Sequence, residues 1–188
     1  MTDLNQQRKF RKDASFTLKN RLLRVLWNFV HLLLIRHSPV ILNSWRVAIY
    51  RIFGANIAEN VTIYPKTIVW APWNLIMEAD SCVANHVNIY NQGLIHIRKN
   101  ALVSQGAYLC TGTHNYESKL FDLEVKAIDI GKNVWIAAEA FVGPGVKIGE
   151  GAILGARGVA LREMEEWGVY IGNPATKIKT RREEVLWS

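Results

Sequence analysis

A short pattern of aliphatic and small residues repeats every six positions between residues 130 and 158. Each hexad has one aliphatic residue followed by Gly or Ala, and the aliphatic positions are Ile130, Ile136, Val142, Ile148 and Leu154. In a helix, residues six apart would lie about 120° from one another and would not form one stripe. Three short strands joined by tight corners would instead return the chain above itself after three hexads, with the aliphatic residues pointing inward. The pattern therefore predicts a parallel β-helix.

The same register can be followed back to residue 57 with three interruptions. The earlier inward positions are Ile57, Ile63, Val69, Met77, Val83, Ile89, Ile97, Val103 and Leu109. The gaps 69→77 and 89→97 are two residues longer than a hexad and predict enlarged corners. Counted as three hexads, the gap 109→130 is three residues too long. We therefore predict a β-helix over residues 55–162 with an inserted loop at about 111–127, because loops on a rigid scaffold commonly carry function.

The two ends of the chain depart from the hexad pattern. Residues 1–16 are polar and basic, which predicts a mobile arm. Residues 17–54 predict a helical cap, with one helix over 17–36 and a second over 40–53 that ends at Gly54. The segment 163–188 predicts a strand, a turn at Gly172-Asn173-Pro174 and a basic tail, which would cover the last coil.

The first predicted helix is both apolar and basic. Its apolar run is interrupted by Asn28 and His31, and it is shorter than the about 20 residues that span a bilayer. Two alternatives stay open for this helix. It lies on the inner face of an anionic membrane, or it packs against the coil or a neighbouring subunit, which we favour.

Charge and composition limit the function classes. The net charge of +7 belongs to residues 1–53, which balance at +8, while the rest of the chain balances at −1. The basic residues are not interleaved with aromatic platforms, which argues against a nucleic-acid partner. Cys82 and Cys110 lack metal-binding spacing and are predicted to be buried free thiols. Because the first twenty residues lack an apolar signal region, we expect a cytoplasmic protein, with a peripheral place at the inner membrane face as the variant.

The histidine in the predicted loop is the best candidate for chemistry. His31, His37, His86 and His96 lie on the predicted helices and hexads, where structural roles are preferred. His114 lies in the loop, after a Gly and hydroxyl residues and before Asn115-Tyr116. An imidazole can accept a proton from a hydroxyl group at neutral pH. The sequence contains no GxSxG, Walker, GxGxxG or HExxH motif that would indicate other machinery.

The chain resembles a known family at several motifs beyond the hexads. These motifs are residues 105–114, 133–136, 142–152 and 172–175. They resemble the hexapeptide-repeat acyltransferases with a left-handed parallel β-helix, and more narrowly the exopolysaccharide O-acetyltransferases of the colanic-acid type, over about residues 17–182. The resemblance implies acetyl-CoA as co-substrate, no metal, a sugar or glycan acceptor, and a homotrimer with active sites between subunits.

The resemblance also implies roles for individual residues. His114 matches the general base, Trp135 matches the aromatic residue of the acetyl-CoA groove, and Ala138 and Ala156 match small positions beside the pantetheine arm. The nucleotide end would be held by Asn173, Pro174, Ala175, Lys177, Arg181 and Arg182, and the acceptor would contact Asn91 and Tyr116. One departure is Arg157, which stands where relatives usually have glycine.

The predicted function is therefore transfer of acetyl from acetyl-CoA to a sugar hydroxyl, in exopolysaccharide or surface-glycan biosynthesis. One alternative is a zinc hydratase of the γ-carbonic-anhydrase type on the same solenoid, with His86, His96 and His114 as ligands. The other alternative is a solenoid scaffold without catalytic activity.

Overall fold

The computed structural model describes residues 16–182, which form a parallel β-solenoid with three walls. Wall A contains β1 (Asn56–Ile57), β4 (Leu75–Met77), β7 (Ile95–Ile97), β12 (Ile128–Ile130) and β15 (Lys147–Ile148). Wall B contains β2 (Thr62–Ile63), β5 (Cys82–Val83), β8 (Leu102–Val103), β13 (Trp135–Ile136), β16 (Ile153–Leu154) and β18 (Gly168–Ile171), with β19 (Thr176–Thr180) antiparallel at its edge. Wall C contains β3 (Ile68–Val69), β6 (Asn88–Tyr90), β9 (Tyr108–Cys110), β14 (Phe141–Val142) and β17 (Val159–Ala160).

The core of the coil is made of the predicted inward positions. All fourteen are buried, and none is more than 5% exposed. The outward neighbours in the short strands are exposed or half-buried, as the alternation of a β-strand requires. The predicted all-β solenoid of hexapeptide repeats is confirmed.

The interruptions of the hexad register share one corner of the coil, between wall C and wall A. The first enlarged corner contains a 3₁₀ turn at Pro72–Asn74, and the second follows β6. The loop leaves the next coil at the same corner, where β10 (Gly112–His114) pairs antiparallel with β11 (Leu123–Val125). The corners in the two coils below the loop are therefore already enlarged.

Our count of three hexads between Leu109 and Ile130 is wrong. Ile130 pairs with Ile97 on wall A, so the gap is one corner with a long insertion. The two antiparallel strands of the loop return the chain to the point where it left, and the Lys126 amide donates to the Thr111 carbonyl at 2.9 Å. The strands after the loop therefore lie one wall away from where that count would place them.

The first helix caps the open end of the first coil. Helix α1 (Leu18–Val30) begins as predicted at Thr17, whose hydroxyl accepts the Asn20 amide at 3.3 Å. It continues as a π-helical turn, His31–Ile35. The indole of Trp27 is fully buried and donates to the Val69 carbonyl at 2.7 Å.

The second helix, α2 (Asn43–Ile52), starts three residues later than predicted. The reason lies in the Asn43 side chain, which donates to the Val61 carbonyl at 2.7 Å and accepts the Ile63 amide at 3.0 Å. Gly54 ends this helix with φ +90°, a conformation that favours glycine.

The coil extends past the predicted boundary at residue 162. Met164 bridges to Ile148, and β18 pairs in parallel with β16. The predicted strand and turn are present, and the basic segment after them forms β19. Residues 1–15 of the predicted arm and residues 183–188 of the tail lie outside the described residues. No helix within residues 16–182 is long and apolar enough to cross a membrane.

Candidate active site

The β10–β11 hairpin positions His114, which pairs with Leu123 across the antiparallel ladder. The His114 side chain is exposed, and its Nδ1 lies 2.6 Å from the Phe121 carbonyl oxygen. A carbonyl oxygen can only accept a hydrogen bond, so Nδ1 must carry the proton. The neutral ring then keeps a free lone pair on Nε2, which is the arrangement that a general base needs.

The tip of the loop fixes this carbonyl. Phe121 has φ +49°, a left-handed conformation that is uncommon for residues with a side chain. The turn is maintained by hydrogen bonds, from the Phe121 amide to the Ser118 carbonyl at 3.1 Å and from the Ser118 hydroxyl to Asp122 Oδ2 at 2.5 Å. The sequence does not show this role of Phe121, because a backbone carbonyl carries no residue-specific signal.

Trp135 lies outward on wall B and is 44% exposed. Its indole nitrogen donates to the Ser104 hydroxyl at 2.9 Å, which fixes the plane of the ring. The sequence did not point to Ser104, because the incorrect count across the loop placed Trp135 on a different wall from Ser104. The register Ile136 to Val103 would have identified it.

Ala138 and Ala156 occupy the same corner, between wall B and wall C, in successive coils. The two corners are joined by a hydrogen bond from the Arg157 amide to the Ala138 carbonyl, at 2.9 Å. Arg157 has φ +57°, which explains why glycine is usual at this position in the family that the chain resembles. The Arg157 guanidinium pairs with the Glu139 carboxylate at 2.6 Å beside both alanines. This hydrogen bond raises the pKa of the guanidinium.

The candidates for the nucleotide end lie after β18. Pro174 and Ala175 line a cleft of about 340 Å³ at the end of the coil, together with Arg162. Asn173 is exposed before them, and the Ala175 amide donates to the Val159 carbonyl at 2.8 Å. The segment is therefore held on the last coil by its backbone.

The three candidate cations follow this segment. Lys177 donates to Glu165 at 2.6 Å, and this hydrogen bond raises the pKa of the amine. The Arg181 amide donates to the Trp167 carbonyl at 2.6 Å, so this part of the tail is fixed to the coil as well. The Arg182 side chain is exposed.

The two acceptor candidates have different surroundings. Tyr116 is 80% exposed at the loop tip. Asn91 is completely buried, and its amide both accepts from the Ala71 amide at 3.0 Å and donates to the Ala71 carbonyl at 2.6 Å. A buried amide with both ends bonded to the backbone offers nothing to an acceptor, so the structure argues against the role predicted for Asn91.

The predicted site residues lie at two separate places on one chain. The loop with His114 leaves the corner between walls C and A, whereas Trp135 lies on wall B and Ala138 and Ala156 lie where wall B meets wall C. Wall C separates the two groups. One chain therefore does not bring His114 and the proposed groove together.

Comparison with known proteins identifies the family. Residues 128–159 match the family described as bacterial transferase hexapeptide (six repeats). Over 158 residues the chain is 39% identical to WcaF of Escherichia coli K12, named as a colanic acid biosynthesis acetyltransferase, covering 84% of this chain and 87% of that protein. The chain belongs to the hexapeptide-repeat acetyltransferases.

Solved structures of hexapeptide-repeat acetyltransferases share this fold. One is the Vibrio cholerae acetyltransferase VCA0836 with acetyl coenzyme A, at 17% identity and a TM-score of 0.82, covering 90% of this chain and 93% of that one. Another is a galactoside acetyltransferase with coenzyme A, at 19% identity and a TM-score of 0.82, covering 91% of this chain and 86% of that one. At these identities the likeness shows the fold.

The histidines of the zinc alternative are scattered in this acetyltransferase. His86 lies at a corner after β5, His96 lies on β7 and contacts Glu78 at 2.8 Å, and His114 lies in the loop. Within residues 16–182 no group of three or more His, Cys, Asp or Glu is placed to hold a metal ion. The geometry gives the zinc alternative no support.

Proposed function

We propose that this acetyltransferase moves acetyl from acetyl-CoA to a sugar hydroxyl during exopolysaccharide or surface-glycan biosynthesis in the cytoplasm. The observation that carries the proposal is the hydrogen bond of His114 Nδ1 to Phe121, which leaves Nε2 free as a base. The likeness to WcaF supports the acetyl group and the glycan acceptor.

In the proposed reaction His114 Nε2 takes the proton of the acceptor hydroxyl while the hydroxyl oxygen attacks the carbonyl carbon of the thioester. The carbon–sulfur bond then breaks, and the imidazolium returns the proton to the CoA thiolate. The products are the acetyl ester and free CoA thiol. The Phe121 carbonyl would stabilise the imidazolium through the Nδ1 hydrogen bond, so the loop tip acts as a positioning element.

We propose that the acetyl-CoA groove runs along the corner formed by Ala138 and Ala156, beside Trp135. The small side chains at this corner leave the backbone open to an extended pantetheine arm. Phosphate groups bind well to guanidinium and ammonium groups, which supports Arg181 and Arg182 at the nucleotide end. Lys177 would exchange Glu165 for a phosphate there, because its amine is already charged and near the surface.

We infer a homotrimer in which each active site lies between two copies. A His114 loop at one corner and a groove on another wall can meet when the loop of one copy reaches the neighbour. The loop exposes apolar side chains that a neighbouring subunit would cover, including Tyr116 at 80%, Phe121 at 52% and Leu120 at 40% exposure.

Mixed trimers test this arrangement. We expect that trimers containing both His114→Ala and Ala156→Trp subunits, purified through two different tags, recover about one third of wild-type turnover. In each mixed trimer one of the three interfaces combines an intact His114 with an open groove. Thiol release from acetyl-CoA is the measurement.

The homotrimers of each variant are the controls and should turn over at least about 10²-fold more slowly than the wild type. Ala156 is exposed, so a bulky side chain there should fill the groove without disturbing the core. Mixed trimers no more active than these homotrimers would show that each site lies within one chain.

The function itself is tested by a turnover screen with thiol release as readout. The acceptors to compare are free sugars, nucleotide sugars, lipid-linked oligosaccharides and finished polymers. We expect thiol release to exceed the acceptor-free rate with a glycan, and the product to gain one acetyl group by mass. Acetyl-CoA that neither shifts the melting temperature nor turns over would favour the scaffold alternative.

A further inference from the structure

Helix α1 presents an apolar stripe on the side that faces away from the coil. The stripe consists of Leu18 (69% exposed), Leu22 (62%), Val25 (67%), Leu26 (52%) and Phe29 (60%). These positions follow the three- and four-residue spacing of one helix face. The stripe is therefore a continuous apolar surface along the whole helix.

The fold does not use this stripe, because the opposite face of the helix makes the contacts with the coil. Trp27 is buried and bonded to Val69, and His31 Nε2 donates to the Thr67 carbonyl at 2.9 Å, where burial lowers the pKa of the imidazole. Ile35 is fully buried at the end of the π-helical turn. Large apolar patches are uncommon on soluble monomers and mark sites of interaction.

The apolar surface continues beyond α1. Further exposed apolar side chains lie at positions 32–34, 40–42, 45 and 52. The Trp45 indole donates to the Leu34 carbonyl at 3.3 Å, which links α2 to the end of the π-helical turn. We refer to these residues together with the stripe of α1 as the apolar cap face.

The two helices of the cap carry only positive charges. No Asp or Glu occurs between Asp13 and Glu59, an interval that includes both helices. The exposed cations in the described part of this interval are Lys19, Arg21, Arg36 and Arg51. Apolar side chains on helices that carry cations and no carboxylates are complementary to an anionic lipid surface.

A second copy of the chain fits this surface less well. Two apolar cap faces brought together would also bring their cations together, and the helices themselves supply no carboxylate to pair with them. The proposed trimer instead uses the loop and the groove of the third to fifth coils, whereas the cap covers the first coil. The cap is thus available at one end of the molecule.

We propose that the apolar cap face docks the enzyme on an anionic membrane surface, with α1 lying in the interface. The coil then stands above the lipid, and the His114 loop leaves between the third and fourth coils. With strands stacked about 4.8 Å apart, the loop lies roughly 10–15 Å from the first coil. This height suits an acceptor whose glycan is attached to a membrane lipid.

The test is sedimentation of the full chain with vesicles, without acetyl-CoA or acceptor. We expect binding to mixed phosphatidylcholine and phosphatidylglycerol vesicles and little binding to phosphatidylcholine alone. The double variant L22E/F29E should bind at least about 50-fold more weakly, because both side chains would bury apolar area in the lipid. The variant K19Q/R21Q should bind about 20-fold more weakly, and salt should weaken the wild type.

The control is Ile68→Glu, which puts one glutamate, half the charge that L22E/F29E adds, in place of an apolar side chain of wall C that is 49% exposed. It should leave vesicle binding within two-fold of the wild type. Binding that survives L22E/F29E, or equal binding to neutral and anionic vesicles, overturns the proposal. A lower mass of L22E/F29E in light scattering also overturns it, because the apolar cap face would then be a contact between copies. None of these results depends on whether the enzyme transfers acetyl.

Discussion

Replacing His114 with Ala is expected to lower kcat by about 10²–10⁴-fold, the usual contribution of a general base. The proton of the acceptor hydroxyl would then have no base within the site. The melting temperature should change little, because the His114 side chain is exposed and its one hydrogen bond is to the Phe121 carbonyl. Acetyl-CoA should still bind, because the proposed groove lies on another wall. Steady-state kinetics followed by thiol release measure kcat. The shift of the melting temperature on adding acetyl-CoA measures binding.

The matched control is His37→Ala, which removes an exposed histidine at the end of the first helical segment. It should keep wild-type kcat. A His114→Ala enzyme that turns over at the wild-type rate would eliminate His114 as the base, and one that no longer melts cooperatively would indicate a structural role for the loop histidine.

Replacing Arg46 with Ala is expected to destabilise the protein by about 3–5 kcal/mol, the largest effect we predict on stability. Each hydrogen bond from a charged group contributes about 1.5–3 kcal/mol, and water can replace part of the loss at the part-buried carbonyls. Arg46 is fully buried in α2, where burial lowers the pKa of its guanidinium. Its nitrogens donate to the carbonyls of Ile63 at 2.8 Å, Pro39 at 2.6 Å and Val40 at 2.8 Å. The guanidinium thereby joins α2, the segment that connects the helices and the first coil.

Alanine would leave the buried Ile63 carbonyl without a donor and would remove the bonds to the part-buried Pro39 and Val40 carbonyls. Thermal unfolding should show a melting temperature lower by about 6–20 °C for a chain of this size. Arg46→Lys should recover part of the loss, because one ammonium group cannot reach all three oxygens. The control Arg51→Ala removes bonds to the Ile57 and Ala58 carbonyls at the surface and should cost about 1 kcal/mol or less. Equal melting temperatures of the Arg46→Ala and wild-type proteins would contradict the stabilising role of Arg46.

The hexads predicted the coil correctly because each inward residue is specified locally. A short strand needs one aliphatic side chain inside and a small residue at its corner, and both are visible in the sequence. The helices were also predictable, since Thr17 and Gly54 mark a start and an end through local backbone geometry. Where a nonlocal contact decides, the prediction was less accurate, as at the start of α2, which the Asn43 side chain sets.

The candidate site was predicted in part. His114 was located because the hexad pattern fails around it, but the orientation of its ring depends on a backbone carbonyl that only the folded loop brings near. Asn91 was predicted as an acceptor contact from its position in the sequence, and the structure buries it against Ala71. Burial and hydrogen-bond partners of a corner residue depend on the coil below it, which the hexads do not specify.

The sequence by itself determined the solenoid, its inward residues, the position of the loop and the basic character of the first helices. The tertiary structure alone decided which wall each strand occupies after the loop, that His114 and Trp135 lie apart on one chain, and which face of α1 stays exposed. The physical reason is that hexad periodicity is a local property of the chain. Wall assignment depends on how the antiparallel loop returns the chain to the coil. Exposure depends on which side of a helix with apolar residues on more than one face packs against the coil.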